Sequence, residues 1–349
     1  MLIARAPVRL SFGGGGTDLE AYYAKYGGCV VSTTIDKYFY VFLNVNEDGD
    51  IQITSSDYRT FYRHDRRQPL IPDGDLSLPK AILRHFGIRQ GLSMFLASEI
   101  PPGTGLGSSG TVAVALVKAL STACGLLLSK GEVAELACTI EIEELGMPVG
   151  KQDQYAASFG GLNFITFTKE GVTVEPLEIA PETRRRLERN LLLFFTGSAR
   201  DSATILSRQK KSSEKDDPEV IAALHAVKEL ANEVRNCFER GDLRRFGELL
   251  DLNWQNKKRF APGVTTPFID ECYELALAKG AIGGKITGAG GGGFLMLYCE
   301  EENQDRVTAA LEAKGLSRMN FRFETEGARV LMNAGLALSM DRAQTFTEG

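Results

Sequence analysis

Histidine is scarce in this sequence and the cysteines are far apart, which excludes several kinds of metal and redox site. The 349 residues include only three histidines, at positions 64, 85 and 225, and none is close to another in the sequence. The six cysteines form no Cys-X-X-Cys pair, so we expect neither a zinc ribbon nor a redox-active dithiol. Scattered thiols in a chain of this length are typical of buried cysteines in a reducing compartment. A carboxylate or a lysine is therefore a better candidate for a catalytic base than histidine.

The sequence also lacks an excess of basic charge and a long apolar run, and we expect no leader peptide. Its net charge of -5 at pH 7 disfavours a general nucleic-acid surface. The N-terminus reaches Arg5 before any apolar leader segment forms. The most apolar stretch, residues 111–128, is interrupted by Lys118 and predicts a buried helix rather than a membrane span. We therefore expect a cytoplasmic monomer or homodimer that binds small molecules, with no nucleic-acid or membrane partner.

The length and the order of the predicted elements indicate two domains of the α+β class. A chain of 349 residues exceeds one ordinary core. Strand-like runs occur in both halves, helical periodicity dominates from 199 to 279, and the charged segment 178–189 lies between the halves. We therefore predict domains over residues 1–180 and 190–340, with strands and helices grouped rather than alternating. The predicted strands are 2–12, 29–35, 38–45, 51–54, 58–63, 92–97, 162–168, 172–177, 190–195, 294–299 and 320–326. The predicted helices outside the helical region are 111–126, 130–145 and 303–314, and 65–78 is predicted as a loop.

Glycine is abundant, and its distribution marks three loops. Of the 37 glycines, 15 fall in the segments 13–16, 103–110 and 283–293, where the backbone is expected to approach a ligand or another segment closely. The segment 101–110, Pro-Pro-Gly-Thr-Gly-Leu-Gly-Ser-Ser-Gly, lies between a predicted strand and a predicted helix. Successive backbone N–H groups in such a loop bind anions, and the positive end of the helix adds to the attraction. The hydroxyls of Ser108 and Ser109 suit a helix cap, a phosphate or Mg²⁺.

Three better-known nucleotide motifs fit these loops poorly. Residues 105–110 satisfy the GxGxxG pattern of dinucleotide-binding folds, but two prolines precede them and a second helix follows the first, where a parallel strand is required. No HRD or DFG segment accompanies the match to the protein-kinase glycine-rich loop. The glycine segments that end at Lys151 and Lys285 lack Walker A spacing. A nucleotide-dependent oxidoreductase stays open as an alternative.

Three motifs lie at residues 5–18, 101–110 and 285–294. Their sequences and their order resemble those of the GHMP kinases, the family of galactokinase, homoserine kinase, mevalonate kinase and phosphomevalonate kinase. The resemblance implies an ATP- and Mg²⁺-dependent kinase. It implies an N-terminal domain resembling ribosomal protein S5 domain 2, a ferredoxin-like C-terminal domain and a site between them. The middle motif would bind ATP through Pro102, Gly103, Thr104, Gly105, Leu106, Gly107, Ser108, Ser109 and Gly110.

A fourth segment, residues 145–161, resembles the part of galactokinase that carries the catalytic aspartate. The resemblance implies that Asp153 is the base and that Ser109 and Glu141 bind Mg²⁺. It also implies that Arg9 faces the transferring phosphoryl group and that Asp18 holds sugar hydroxyls. These residue types suit the chemistry, because phosphoryl transfer needs charge neutralisation, Mg²⁺ prefers hard oxygen ligands and a carboxylate can accept a hydroxyl proton. Structural roles stay open for each residue, as a helix cap, an exposed helix face or a surface strand position.

Residues 12–18, Phe-Gly-Gly-Gly-Gly-Thr-Asp, resemble the D-glycero-D-manno-heptose 7-phosphate kinases within this family. Gly15 and Gly16 stand where galactokinase has Glu-His, which predicts space for a larger exocyclic group. The resemblance implies phosphorylation of the anomeric hydroxyl of heptose 7-phosphate to the 1,7-bisphosphate, for nucleotide-activated heptose and surface polysaccharide synthesis. An L-fucokinase-like or galactokinase-like sugar 1-kinase and a non-catalytic sugar or ATP sensor stay open as alternatives.

A phosphorylated acceptor needs cationic side chains around its phosphate. The candidates are Arg200, Lys151, Lys257, Lys258 and Arg259, although the last three also suit a solvated helix end. The predicted substrate-binding residues are Gly15, Gly16, Thr17, Asp18, Lys151, Arg200, Gly288, Ala289 and Gly290.

Overall fold

The computed structural model describes residues 1–65, 67–88, 90–197 and 202–340, which form two β-sheets with helices packed against them. The first sheet has nine strands, in the order β13-β1-β2-β5-β3-β4, with β12 and β6 paired to β2 and β7 paired to β6. Their bounds are β1 (Leu2–Gly13), β2 (Gly28–Val45), β3 (Ile51–Ser55), β4 (Thr60–His64), β5 (Leu92–Ser98), β6 (Leu162–Thr168), β7 (Gly171–Pro176), β12 (Phe323–Glu324) and β13 (Arg329–Asn333). Strand β2 organises the sheet, because its first half pairs with β6 and its second half with β5.

The second sheet has four antiparallel strands in the order β11-β8-β10-β9. Their bounds are β8 (Leu191–Phe195), β9 (Gly283–Ile286), β10 (Phe294–Tyr298) and β11 (Ser317–Met319). Two separate sheets with grouped helices confirm the predicted α+β class. The chain then returns to the first sheet, where Phe323 of β12 pairs with Ile35 and Asn333 of β13 pairs with Leu2. The predicted division between residues 180 and 190 stays a prediction, and the last strands of the chain belong to the first sheet.

The described residues contain eleven α-helices. Their bounds are α1 (Glu20–Tyr26), α2 (Ser77–His85), α3 (Ser108–Ala123), α4 (Lys130–Cys138), α5 (Gln152–Phe159), α6 (Pro181–Asn190), α7 (Ser202–Glu214), α8 (Pro218–Arg240), α9 (Leu243–Lys257), α10 (Pro267–Ala278) and α11 (Glu301–Glu312). Helix α4 begins with a capping box between Ser129 and Glu132, and a π-helical turn, Thr139–Glu144, continues it. None of these helices is both long enough and apolar enough to cross a bilayer. The cytoplasmic location stays a prediction.

Most predicted elements are present, and the missed ones are short or rich in glycine. The helices from α7 to α10 are interrupted near 212–218 and 261–267, at the breaks in the sequence periodicity. The end of the predicted loop 65–78 is already helical in α2, and the charged segment 178–189 is largely the amphipathic helix α6, whose Leu187 is fully buried. Helices α1, α2, α5 and α6 and strands β9, β11 and β13 are absent from the prediction, and only Phe323–Glu324 of the predicted strand 320–326 is a strand. All six cysteines are unpaired and five are buried, as expected.

Aromatic packing joins the two sheets beneath the glycine-rich loops. Phe12 of β1 lies edge-on to Phe238 of α8 and Phe246 of α9, with ring centroids 5.6 and 5.4 Å apart. Phe246 in turn contacts Tyr298 of β10 at 5.6 Å. Each of these rings is almost completely buried, and such burial stabilises a fold by ~1.5–3 kcal/mol per side chain. The core therefore holds the end of β1 against the second sheet, which brings the loops that follow β1 and β9 together.

Candidate active site

A cleft of about 370 Å³ lies where the end of β1, the phosphate loop (residues 101–110), the segment 147–153 and the loop after β9 meet. It collects residues from all four motifs that the sequence analysis singled out. The predicted site residues that line it are Arg9, Gly15, Gly16, Asp18, Gly103, Gly105, Gly107, Ser108, Ser109, Asp153, Gly288 and Ala289. The remaining walls come from side chains that the sequence analysis did not assign to the site, including Ser11, Tyr58, Gln209, Phe260 and Lys285.

The phosphate loop is pressed against the third glycine motif, backbone to backbone. Gly105 has a φ of 82°, and a Cβ there would lie 2.5 Å from the carbonyl oxygen of Thr287. A Cβ at Gly288 would lie 2.4 Å from the Cα of Gly105, so neither position accepts a side chain. Helix α3 begins within the loop, at Ser108, and its N-terminal N–H groups and positive dipole end suit a phosphate. Thr104 and Leu106 are fully buried, so their side chains serve the packing of the loop.

Arg9 and Asp153 form the central ion pair of the cleft. Nε and Nη2 of Arg9 lie 2.7 and 2.6 Å from Oδ1 of Asp153, and Nη1 donates to the carbonyl oxygen of Gly105 at 2.7 Å. The Arg9 side chain is 4% exposed and that of Asp153 is 28% exposed. The close approach of α5 depends on Gly110, where a Cβ would lie 2.7 Å from the Cβ of Asp153. The pair therefore fixes a partly open carboxylate directly beside the phosphate loop, and no described residue hydrogen-bonds Oδ2.

Glu141 is a fully buried carboxylate that faces the start of α3. One oxygen accepts a hydrogen bond from the Ser109 hydroxyl, and the other accepts one from Nε2 of Gln154 at 2.6 Å. Burial is the main cause of a rise in the pKa of Glu141 to about 7; the two hydrogen bonds oppose this rise, and the negative charge of Asp153 contributes to it. Within the described part of the chain, no cationic side chain pairs with this carboxylate.

The surroundings of Glu141 fit a hard divalent cation. A buried carboxylate beside a hydroxyl and a second carboxylate supplies the oxygen ligands that Mg²⁺ prefers. The described residues contain no cluster of three or more acidic, histidine or cysteine ligands. Ser109 and Glu141 would hold Mg²⁺ here, and the bound cation would neutralise phosphate charge.

Asp18 and Thr17 occupy opposite sides of the turn after β1. The carboxylate of Asp18 lines the cleft and accepts hydrogen bonds from the backbone N–H groups of Gly16 at 2.9 Å and Gln152 at 3.2 Å. Burial raises the pKa of Asp18, and the charge of Asp153 adds to the shift. Thr17 is fully buried; its hydroxyl lies 2.8 Å from the carbonyl oxygen of Gly14 and accepts from the N–H of Cys29 at 3.1 Å. Thr17 therefore holds the turn together and does not reach the cleft.

The space expected at Gly15 and Gly16 is only partly open. At Gly15 the nearest atom to an added Cβ is the Ser11 hydroxyl oxygen, at 3.4 Å. At Gly16 the side chains of Gln209 and Phe260 would lie 2.7 and 3.0 Å away. The missing side chain at Gly16 is thus replaced by Gln209 of α7 and by Phe260, which follows α9, and the open volume lies beside Gly15.

The candidate cations for an acceptor phosphate divide into those that line the cleft and those that do not. Lys151 is tied to Glu135 of α4, with Nζ 2.5 Å from Oε1, and its side chain is not part of the cleft wall. Lys258 pairs with Asp270 at 3.8 Å and Arg259 with Glu219 at 3.4 Å. Lys257 lines the cleft. Arg200 lies outside the described residues.

Two predicted substrate-binding residues, Lys151 and Gly290, do not line the cleft, whereas two residues that were not predicted, Lys285 and Ser11, do. The prediction that Lys151 contacts the substrate is not supported by its placement, because its ammonium group is committed to Glu135. Gly290 packs against Val264, because a Cβ added at Gly290 would lie 2.6 Å from the carbonyl oxygen of Val264. Gly290 does not line the cleft. Lys285 lines the cleft, although the sequence indicated it only as the first residue of the third glycine motif. Ser11 had a usable signal as well, because it lies two residues after Arg9 on the same face of a strand.

Comparison with known protein families matches both halves of the chain. Residues 77–161 match the family described as GHMP kinases N terminal domain, and residues 223–316 match GHMP kinases C terminal. The chain is 34% identical to the D-glycero-alpha-D-manno-heptose 7-phosphate kinase of Campylobacter jejuni, over 93% of this chain and 97% of that protein. It is 28% identical to the mevalonate kinase of Pyrococcus horikoshii, over 87% of this chain and 92% of that protein.

Solved structures give the same relationship. A D-glycero-D-manno-heptose 1-phosphate kinase from Bacteroides thetaiotaomicron superposes with a TM-score of 0.78 at 29% identity, covering 96% of this chain and 100% of that one. The galactokinase of Lactococcus lactis complexed with galactose superposes with a TM-score of 0.75 at 19% identity, covering 94% of each chain, and shows the shared fold alone.

Proposed function

The chain belongs to the GHMP kinases, and from this premise we propose that it transfers the γ-phosphoryl group of ATP to the anomeric hydroxyl of D-glycero-D-manno-heptose 7-phosphate. Family membership confirms the predicted two-domain GHMP kinase fold. The chain is a phosphotransferase with an alcohol group as acceptor, a sugar kinase of the heptose kinase type. The oxidoreductase alternative is therefore wrong.

The observation that carries the proposal is the Arg9–Asp153 ion pair at the phosphate loop. It places a carboxylate within the cleft that also holds Asp18, Ser109 and the N-terminus of α3. A phosphate-binding element, a proton acceptor and a second carboxylate for sugar hydroxyls in one cleft are the parts that a sugar kinase requires.

In the proposed reaction, the anomeric oxygen attacks the γ-phosphorus of ATP. The hydroxyl proton passes to Asp153, and the bond between the γ-phosphorus and the β–γ bridging oxygen breaks to release ADP. Arg9 has five N–H donors, of which the contacts to Asp153 and Gly105 use three. The remaining donors are available to the phosphoryl oxygens, where negative charge is concentrated during transfer.

Asp18 would position the sugar ring. Each of its oxygens accepts one backbone hydrogen bond, which leaves further lone pairs for sugar hydroxyl donors. The two backbone bonds hold the carboxylate in one orientation, so a sugar that reaches Asp18 presents the same face to Asp153 each time.

The position of the acceptor's own phosphate is the finer part of the proposal. The name of the Campylobacter jejuni relative places it on carbon 7, whereas the name of the Bacteroides thetaiotaomicron structure places a phosphate on carbon 1. We favour the 7-phosphate because its kinase is the relative with the higher identity. The 1,7-bisphosphate product would supply nucleotide-activated heptose for surface polysaccharide.

The experiment that tests this proposal identifies the product. The purified protein is incubated with ATP, Mg²⁺ and, separately, heptose 7-phosphate, heptose 1-phosphate, free heptose, L-fucose and galactose, and the products are read by ³¹P NMR. We expect a new phosphate signal coupled to the anomeric proton, formed from heptose 7-phosphate with release of ADP. Transfer to heptose 1-phosphate alone, or to a free hexose with higher efficiency, would replace this substrate while leaving the kinase assignment in place.

A further inference from the structure

Two buried lysines line the cleft without an acidic partner. Lys257 is 7% exposed and Lys285 is 1% exposed. The ammonium group of Lys257 donates to the carbonyl oxygens of Ile286, at 3.3 Å, and Gly288, and that of Lys285 donates to the carbonyl oxygen of Phe12 at 3.4 Å. Neither lysine forms an ion pair with any carboxylate among the described residues. Burying an ammonium group without a counterion is costly, so this arrangement indicates a place for an anionic ligand.

We propose that Lys257, Lys285 and Ser11 form a dibasic pocket that binds the phosphate already carried by the acceptor sugar. This inference rests on the proposed function, because it names the residues that recognise the phosphorylated acceptor. It assigns the role to side chains on β1, α9 and β9, in place of Lys151.

The unused polar groups of the pocket point to the same ligand. The hydroxyl of Ser11 is buried, lines the cleft and has no hydrogen-bond partner among the described residues. The single contact of Lys285 leaves two N–H donors free. A phosphate dianion supplies three acceptor oxygens and two negative charges, which match one hydroxyl and two ammonium groups. A carboxylate would neutralise only one of the lysines, and a neutral sugar would neutralise neither.

The location of the pocket suits the distal end of the acceptor. The Ser11 hydroxyl adjoins the open space beside Gly15, and Lys285 contacts the next residue of β1, Phe12. Lys257 ends α9, and Phe260, three residues further along the chain, packs beside Gly16. The charges that act on Lys257 are those of Arg9, of Lys285 and of Asp18, the carboxylate proposed to hold the ring. The pocket therefore adjoins the turn after β1, next to the proposed sugar site.

The γ-phosphate of ATP is also an anion that this pocket could bind. The test therefore distinguishes the phosphate of the acceptor sugar from the γ-phosphate of ATP. The main variant is Lys257→Met, which removes the charge and keeps an unbranched side chain. The matched control is Lys258→Met, because Lys258 is the next residue but pairs with Asp270 away from the cleft. For each protein, kcat/KM is measured with heptose 7-phosphate and with free heptose, together with KM for ATP.

Loss of one charge-assisted contact should reduce kcat/KM for heptose 7-phosphate about 10- to 100-fold in Lys257→Met. The value for free heptose should change less than about threefold, and KM for ATP less than about twofold, because neither ligand carries the distal phosphate. Ser11→Ala should give a smaller loss, about 3- to 10-fold, with the same selectivity. Lys258→Met should behave like the unmodified protein. If Lys257→Met fails to fold in a thermal melt, Ser11→Ala decides the question alone.

Two results would overturn the assignment without touching the proposed function. One is an equal loss for both sugars together with a raised KM for ATP, which would place the γ-phosphate in the pocket. The other is that the unmodified protein prefers heptose 7-phosphate to free heptose and that the variants keep this preference in full. An unmodified protein with no preference between the two sugars would instead refute the proposed substrate, and this inference with it.

Discussion

Replacing Asp153 by asparagine separates proton transfer from positioning. Both Arg9 contacts end at Oδ1, at 2.7 and 2.6 Å, and the carbonyl oxygen of an asparagine can accept the same bonds. The amide nitrogen would occupy the place of Oδ2, which has no partner among the described residues. The variant should therefore keep the geometry of the cleft and lose the group that accepts the hydroxyl proton.

The expected loss in kcat for Asp153→Asn is about 10²–10⁴, the usual contribution of a general base, which corresponds to ~2.7–5.4 kcal/mol of activation free energy. KM for ATP should change little, because the phosphate loop does not depend on this carboxylate for its own contacts. Initial rates are measured at saturating ATP and sugar, and a thermal melt checks that the variant is folded. A variant that is folded and keeps kcat within about threefold would refute the role of Asp153 as base.

Three further predictions concern the metal, the turn after β1 and the pH dependence. Ser109→Ala and Glu141→Gln should each raise the Mg²⁺ concentration for half-maximal rate at least about tenfold, because each loses one contact of ~1.5 kcal/mol to a charged group. An unchanged Mg²⁺ dependence in both variants would contradict the assignment of Ser109 and Glu141 as Mg²⁺ ligands. Thr17→Val should lower the free energy of unfolding by about 1–3 kcal/mol, because it leaves a buried N–H unpaired, with KM for the sugar unchanged; a specific rise in that KM would place Thr17 in the sugar site after all. Burial lowers the pKa of Lys257 to about 7 and that of Lys285 well below its ordinary value, so in the free enzyme the positive charge of the pocket, and with it the preference for the phosphorylated sugar in kcat/KM, should fall as the pH rises through about 7. Since the pKa of Lys257 is below the ordinary value of 10.5, the unmodified protein should also gain stability relative to Lys257→Met as the pH rises from about 7 towards 10.5.

The fold was predictable where local patterns and tertiary packing agree. The hairpin of β6 and β7 follows runs of β-branched and aromatic residues, strand β1 follows an alternating pattern, and the breaks between α7 and α10 follow the loss of helical periodicity. Strand β9 begins with Gly283-Gly284, which has low strand propensity, and it exists because it pairs with the buried strand β10. Helix α5 has only eight residues, so its periodicity is too short to detect.

The sequence motifs predicted which segments form the candidate site, but they did not predict which side chains of those segments face the cleft. The resemblance of the motifs to the kinase family predicted that Arg9, Asp153 and Ser109 share one site, and all three line the cleft. Lys257 and Lys258 are neighbours in the sequence, yet one lines the cleft and the other pairs with Asp270, because successive residues of a helix face different sides. The partner of Lys151, Glu135, lies 16 residues away and meets it only through the packing of α4 against α5. Such contacts depend on tertiary structure, which sequence spacing does not report.

The central claim, a kinase for a phosphorylated heptose, is tested most directly by one ratio, kcat/KM for heptose 7-phosphate divided by kcat/KM for free heptose. Two charge-assisted contacts to the distal phosphate, each worth ~1.5–3 kcal/mol, predict a ratio of roughly 10²–10⁴ for the unmodified protein at a pH below the pKa of Lys257. A ratio near one would contradict the account, because the cations of the cleft would then make no distinction between a sugar that carries a phosphate and one that does not.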